Sequence, residues 1–273
     1  MKNRTSAFLM RLSVKIAALF TAVILTIIVT SILFHGIPYL KPSIFAWKYN
    51  SVNVSLTPAL VNTLLMTLLS LTFAVPLGIG SAVYLTEYAR RGSRFVSIVR
   101  ITTETLAGIP SIIYGLFGLL FFVTHCRMGI SLLAGSLTLA LMILPLIMRT
   151  AEEALLAVPD SYREGSFGLG AGRLRTVFCI VLPSAMPGIL AGIILAIGRI
   201  AGETAALIYT AGTVAEIALS PLNSARTLAV HMYVLSSEGL YMNQSYATAV
   251  ILLVITAGMN TLSAVAARRL TKE

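Results

Sequence analysis

Charge is scarce in this chain. Only 11% of its 273 residues are Asp, Glu, Lys or Arg, against about 25% in a soluble domain, which is too little to cover a water-facing surface. With 57% hydrophobic residues and a mean hydropathy of +0.90, disorder is excluded as well. Cysteine is nearly missing. Cys126 and Cys179 are a poor basis for a disulfide or a metal site, and both read as packing residues. Acidic residues are half as numerous as basic ones, 10 against 20, for a net charge of +10. That balance could point to nucleic acid, but the basic residues stand at the ends of apolar runs, where membrane topology needs them. Nucleic acid is therefore rejected as a partner. A phosphate-binding G-x-x-x-x-G-K-[ST] loop is absent too. What is abundant is apolar sequence in runs of about 20 residues, the length of a membrane-spanning helix. The chain reads as an integral membrane protein of several spans in one domain, with the lipid bilayer as its solvent.

Six spans are expected, at about 16–33, 60–85, 106–123, 132–148, 187–211 and 246–266. A tail of residues 1–15 precedes them and a tail of 268–273 follows. The first run is longer than a signal-peptide core, and no small-x-small cleavage site follows it before His35, so it is read as a retained span. Uniformly apolar runs mean helices, because barrel strands alternate polar with apolar. Fifteen basic residues fall on one side, among them Arg90, Arg91, Arg94, Arg100, Arg149, Arg163 and Lys272. Four fall on the other, and Arg199 lies inside a span. The crowded side is cytoplasmic by the positive-inside rule, and both termini face it.

The most specific segment follows the fourth span, within 160–183. It reads Glu164-Gly165-Ser166-Phe167-Gly168-Leu169-Gly170, and after nine residues Ile180-Val181-Leu182-Pro183. A short helix that leaves the membrane and turns back sharply needs a residue free to take positive φ, which Gly170 supplies. Pro183 suits a helix start, where its missing N–H costs nothing. Gly165 weakens the short helix by about 1 kcal/mol relative to Ala.

A second signal is charge inside the fifth span. Arg199 lies near its middle, and Glu203 follows one turn later. Ionisable residues inside a span are functional candidates by default. One reading is an intrahelical ion pair that locks packing. The other is an anion path, with the Arg199 fork presented to an oxyanion and Glu203 holding it in place. Thr204 and Thr210 offer hydroxyls to this path, although a threonine in a membrane helix more often bonds its own backbone. Gly188/Gly192 and Gly198/Gly202 form small-xxx-small pairs that admit a neighbouring helix. In the third span, Gly108-Ile109-Pro110-Ser111 and Gly115 should bend or break the helix. Glu104 reads as structural, within reach of water or Arg100. His35, His125 and His231 fall at or outside span ends with no ligand spacing, so no metal is expected.

The segment from Glu164 to Pro183 has the spacing of the EAA loop in permease subunits of ABC importers, with Gly165 and Ser166 where the naming alanines stand. Over nearly its whole length the chain resembles the phosphate ABC-importer permeases. The resemblance rests on Ala107-Gly-Ile-Pro-Ser-Ile-Ile-Tyr-Gly115, on the loop ending Leu182-Pro183 and on Arg199-Ile-Ala-Gly-Glu-Thr-Ala205. The outer stretch Pro221-Leu222, Leu228-Ala-Val-His-Met-Tyr233 and Glu238-Gly239 makes it more similar to the PstA type than to the sister PstC type. The resemblance implies an all-α, six-span MetI-like fold with a cytoplasmic coupling helix. It also implies inorganic phosphate as substrate, a PstC-type sister permease, two PstB-type ATPase subunits that hold ATP and Mg, and an extracytoplasmic PstS-type phosphate-binding protein. No cofactor is expected in this chain, and the setting is a bacterial or archaeal cytoplasmic membrane. Arg199 and Glu203 match the positions linked to phosphate passage, and Glu164 to Gly170 the ATPase-coupling helix.

Energetics agree with a driven carrier. Bringing an anion into a negative-inside cell works against about 2.3 kcal/mol per charge per 100 mV. Without its own phosphate loop, the chain is a permease served by a separate ATPase, or it is no active importer. The alternatives are a permease for sulfate, molybdate or phosphonate, a membrane scaffold or signalling subunit, and a channel. An enzyme fits least, since no span holds a nucleophile–base or metal-ligand set.

Overall fold

A computed structural model describes residues 2–90 and 92–270. Arg91 and Lys272, counted above for topology, and the tail from 271 lie outside the described residues. Eleven α-helices account for nearly all regular structure, and no strand occurs among the described residues. Among the described residues five helical segments are long and apolar enough to cross a membrane, or six if the bent pair α3/α4 counts as one.

Helix α1 runs Lys2–Gly36. It therefore absorbs the expected N-terminal tail, because nothing between Lys2 and Ile16 breaks a helix. Helix α2, Thr57–Val83, continues through a π turn, Tyr84–Tyr88. Helix α3, Arg94–Ala107, meets α4, Ser111–Gly118, at a bend of 100°, and α4 continues through a second π turn, Leu119–His125. Helix α5 spans Leu132–Leu156, eight residues beyond the expected end. Hydropathy marks where lipid ends, whereas the helix goes on until Pro159 and its preceding residues stop it.

A short helix α6, Asp160–Gly168, protrudes next. Helix α7, Arg173–Thr176, a third π turn, Val177–Val181, and α8, Leu182–Ala201, then form one helical run. The expected fifth span, 187–211, is not continuous. It stops at Ala201 and restarts as α9, Ala205–Thr210, because Gly202 closes the last turn of α8. After loop 211–227 come α10, Leu228–Ser237, and α11, Met242–Leu270.

Helix α5 is the hub. Two-thirds of its apolar window (67%) is buried, against none of that of α1. It packs on α2, α8, α4 and α3, with Leu139, Ile143 and Ile147 fully buried. Close approach depends on small residues. A Cβ at Gly78 of α2 would come within 2.8 Å of Ile147, and one at Gly188 of α8 within 2.7 Å of Ala154. Ser70 Oγ donates to the carbonyls of Met66 and Ser136, which links α2 to α5 by a buried hydrogen bond. The N-terminal amides of α5 are satisfied by loop 211–227, since Leu132 and Leu133 donate to the carbonyls of Asn223 and Pro221. That loop lies at one end of the bundle, and Arg100, Arg149 and Arg163 lie toward the other.

Both cysteines are free and exposed on this chain, so they are not packing residues. Each lies in or just after a π turn on a surface that the bundle does not use.

Candidate functional site

The α3/α4 bend is built by three consecutive residues. Gly108 closes α3 at φ −86°, and Pro110 opens α4 in an extended conformation. Proline disfavours helix in the residue before it, so the chain cannot run straight through. Tyr114 Oη donates to the Leu106 carbonyl at 2.8 Å and ties the two arms together. Ser111 is the first residue of α4. Gly108 has no steric need to be glycine, since an added Cβ would meet the Thr105 and Glu104 carbonyls at ordinary van der Waals distances of 3.5 and 3.9 Å. Gly115 does. Its missing Cβ lets α4 approach the backbone of Ala206 on α9.

The second break faces the first. Arg199 lies in the last turn of α8, Gly202 caps it, and Glu203 stands in the gap before α9. The expected Arg199–Glu203 pair across one turn is not made, because the helix that would align them ends between them. The Glu203 carboxylate, 8% exposed, accepts the N–H of Ala206 at 3.2 Å and so holds the first turn of α9. Thr204 is half-buried and its hydroxyl makes no capping bond. Arg199 is exposed and has no ion-pair or hydrogen-bond partner among the described residues.

A cavity of about 320 Å³ lies between the bend, α5 and α8, and is lined by Arg199 with Thr103, Tyr114, Arg149, Thr150 and Glu153. Arg149 and Glu153 form an i,i+4 ion pair at 3.0 Å. Reading Arg149 only as a topology signal misses its place beside Arg199. The helix continues past the end of the apolar run and carries Arg149 with it. Glu104 does not pair with Arg100, whose partner is Glu152 on α5. Of the two glycine pairs, Gly188/Gly192 packs on Ala154 and Thr150. Gly198 and Gly202 meet nothing closer than 3.9 Å in this chain.

The protruding helix α6 is finished by a Schellman turn. Gly170 lies at φ +81°, its N–H donates to Phe167, and the Ala171 N–H donates to Ser166. Ser166 is buried, and its hydroxyl shares a 2.8 Å hydrogen bond with Thr176 of α7. Serine in place of alanine thus pins α6 down. Gly165 faces open space. Glu164, Phe167 and Leu169 are exposed, the last at 92%. Ile180 lies in the third π turn, and Leu182 packs on the cluster of Val158, Val177 and Val181. Pro183 stands in the first turn of α8, as expected, although the helical run that α8 belongs to begins at Arg173.

One contact that no local pattern signals joins α6 to α2. Arg163, 15% exposed, donates through Nη2 to Glu87 at 2.7 Å and through Nε at 3.1 Å. Its remaining donors reach the carbonyls of Val158 and Leu155 and the Asp160 carboxylate.

The bundle thus has bent and broken spans, an arginine at one break with no ion-pair or hydrogen-bond partner among the described residues, and a short helix at one end. Residues 74–272 match the family described as binding-protein-dependent transport system inner membrane component, and the chain belongs to that family. The probable ABC transporter permease protein YqgI of Bacillus subtilis (strain 168) is 33% identical over 82% of this chain and 81% of its own length. The phosphate transport system permease protein PstA 1 of Mycobacterium tuberculosis (strain ATCC 25618 / H37Rv) is 41% identical over 56% of this chain, and the match spans about half (49%) of that relative. Among solved structures, a bacterial alginate ABC transporter in complex with an alginate pentasaccharide-bound periplasmic protein aligns with a TM-score of 0.64, at 18% identity, over 93% of this chain and 95% of the other. The MetNI methionine ABC transporter, inward facing, aligns with a TM-score of 0.60 at 20% identity, over 79% of this chain and 94% of the other. The fold is that of an ABC importer permease, all-helical and MetI-like, and the chain is a permease subunit.

Proposed function

We propose that this subunit carries inorganic phosphate inward across the cytoplasmic membrane, with both termini on the cytoplasmic side. The observation that carries the proposal is Arg199, exposed and unpaired at the break of a span and lining a cavity of about 320 Å³. A guanidinium fork in such a place offers two parallel charge-assisted hydrogen bonds to a tetrahedral oxyanion. Glu203 shapes the path by capping α9 rather than by neutralising Arg199. Gly108, Pro110, Ser111 and Gly115 hold the opposing wall. The PstA names of relatives at 41% identity support phosphate as cargo.

A PstC-type sister permease completes the path, and an extracytoplasmic PstS-type binding protein delivers phosphate. Two PstB-type ATPase subunits hold ATP and Mg. The α6 segment from Glu164 to Gly170 is the coupling helix, with exposed Tyr162, Phe167 and Leu169 as the apolar surface that enters an ATPase groove. A second reading, another tetrahedral oxyanion such as sulfate, rests on the same arginine, since one fork suits many oxyanions.

Labelled phosphate uptake at low micromolar concentration tests this, in cells deleted for the gene and in the same cells with it restored, with labelled sulfate alongside. Phosphate uptake that vanishes and returns with the gene, sulfate being unchanged, supports the proposal. Unchanged phosphate uptake in cells without a redundant carrier would overturn it.

A further inference from the structure

Helix α2 with its π turn is one unbroken run of 32 residues, Thr57–Tyr88, about 48 Å long at 1.5 Å per residue. Each end is gripped by a segment facing the opposite side of the membrane. At the outer end Asn62 is fully buried, and its amide uses both of its functions on loop 211–227. Nδ2 donates to the carbonyls of Glu216 at 2.8 Å and Arg226 at 3.3 Å, while Oδ1 accepts the Ala218 N–H at 3.0 Å. The next residue, Thr63, accepts the Leu228 N–H at 2.8 Å, so the start of α10 is held by the same turn of α2. At the inner end Glu87, 9% exposed, takes the Arg163 fork from α6.

We infer that α2 is the rod that transmits displacement of α6 to the outer loop, with Glu87, Arg163 and Asn62 as the positioning residues of its two grips. Slippage is costly at both grips. Separating the largely enclosed ion pair leaves Glu87 without its cation, and freeing Asn62 leaves its fully buried amide unsatisfied and unties the backbone of Glu216, Ala218 and Arg226. Between the grips, α2 is locked laterally to α5 by the Ser70–Ser136 hydrogen bond and the Gly78–Ile147 contact, so a push is carried along the axis. The π turn winds the last turn wider than an α-helix and sets Glu87 toward Arg163. Pro76 lies between the grips and marks where a bend would be least costly. The competing route is the covalent one, from α6 through residues 157–159 into α5. The inference concerns transmission and holds whatever the cargo.

The test uses the assembled transporter in proteoliposomes, with Cys126→Ser and Cys179→Ser as background, since both native thiols are exposed. One spin-label pair at Leu219→Cys and Leu240→Cys reports on the outer loop, and another at Leu174→Cys and Ile98→Cys on the inner end. All four sites are exposed. Distances are measured with and without Mg and a non-hydrolysable ATP analogue. The background protein should show a nucleotide-dependent shift in both pairs, on the order of the 1–2 Å or more seen for helix movements in other switches. In Glu87→Ala and in Asn62→Ala the inner shift should persist and the outer one should vanish. The double variant should be no worse than either single one. An outer shift that survives in either variant would overturn the inference in favour of the α5 route. Loss of the inner shift in either variant would overturn it too, because a rod cut downstream leaves the driven end moving. Phosphate takes no part in the readout, so a wrong cargo assignment leaves the result unaffected.

Discussion

A Cβ added to Gly115 would lie 2.8 Å from the Cα of Ala206, and 3.1 Å from its carbonyl oxygen. The atoms in the way are backbone, so neither arm can yield by turning a side chain. The two half-helices that flank the breaks, α4 and α9, are held at a separation only glycine allows. Gly115→Ala is expected to cost about 1–3 kcal/mol through overpacking, more than the helix propensity it gains. Uptake and the midpoint of thermal unfolding in detergent should both fall. An unfolding midpoint equal to the parent's would mean that α4 and α9 can separate without cost.

Arg199→Gln removes a charge that has no ion-pair or hydrogen-bond partner among the described residues. Its effect on unfolding should stay within about 0.5 kcal/mol, as at other exposed sites. Losing a charged hydrogen-bond donor to the anion, worth about 1.5–3 kcal/mol, should lower phosphate uptake at limiting concentration by about tenfold to a hundredfold. Subunit assembly, read by co-purification, should be unchanged. Failed assembly would make Arg199 a structural residue.

Gly165 and Gly170 lie five residues apart and should respond in opposite directions. Gly165 faces open space inside α6, so Gly165→Ala should stabilise that helix by about 0.5–1 kcal/mol and leave uptake intact. Gly170 is at φ +81°. Gly170→Val forces a β-branched residue into the left-handed region at a cost of about 1–3 kcal/mol. ATP hydrolysis should then continue while transport per ATP falls. Normal coupling in Gly170→Val would remove the Schellman turn from the mechanism.

His231 is buried beside Arg226 at the start of α10. Burial first, and the neighbouring guanidinium second, lower its pKa from the usual 6.5 to about 3. Between those values the unfolded chain binds a proton that the folded chain does not. Stability from this residue is therefore fully present above about pH 6.5 and is lost as pH falls toward 3. Unfolding midpoints at pH 7 and pH 4.5 should differ, and His231→Phe should flatten that part of the difference. An unchanged pH slope in the variant would assign the acid sensitivity to other groups.

Much of this architecture is legible from residue order. The apolar runs locate the spans, Gly108-Ile109-Pro110 announces the bend, and Gly170 announces the turn that ends α6. The break at Gly202 is not legible in the same way. It interrupts the run without a proline, and the charges of Arg199 and Glu203 read as an ion pair along one helix rather than as its end. The pair fails because a four-residue spacing predicts a contact only if the helix persists through it. Glu87 and Arg163 are 76 residues apart, and nothing local in either segment names the other. The Ser166–Thr176 bond is of the same kind, since a serine in place of an alanine reads as a weakness until the threonine beneath it is seen.

The three π turns, Tyr84–Tyr88, Leu119–His125 and Val177–Val181, bear on how this chain tolerates change over evolutionary time. The first two end their helices, so a residue lost there shortens a terminus. The third lies inside the run Arg173–Ala201, where losing one residue turns the bulge into an ordinary α turn instead of rotating α8 by a further 100°. Length changes confined to these three places leave the buried face of α5 undisturbed, since none of them lies within it. Homologues of different length should therefore differ at the ends of α2 and α4 and at the entry to α8, while the breaks that frame Arg199 keep their spacing.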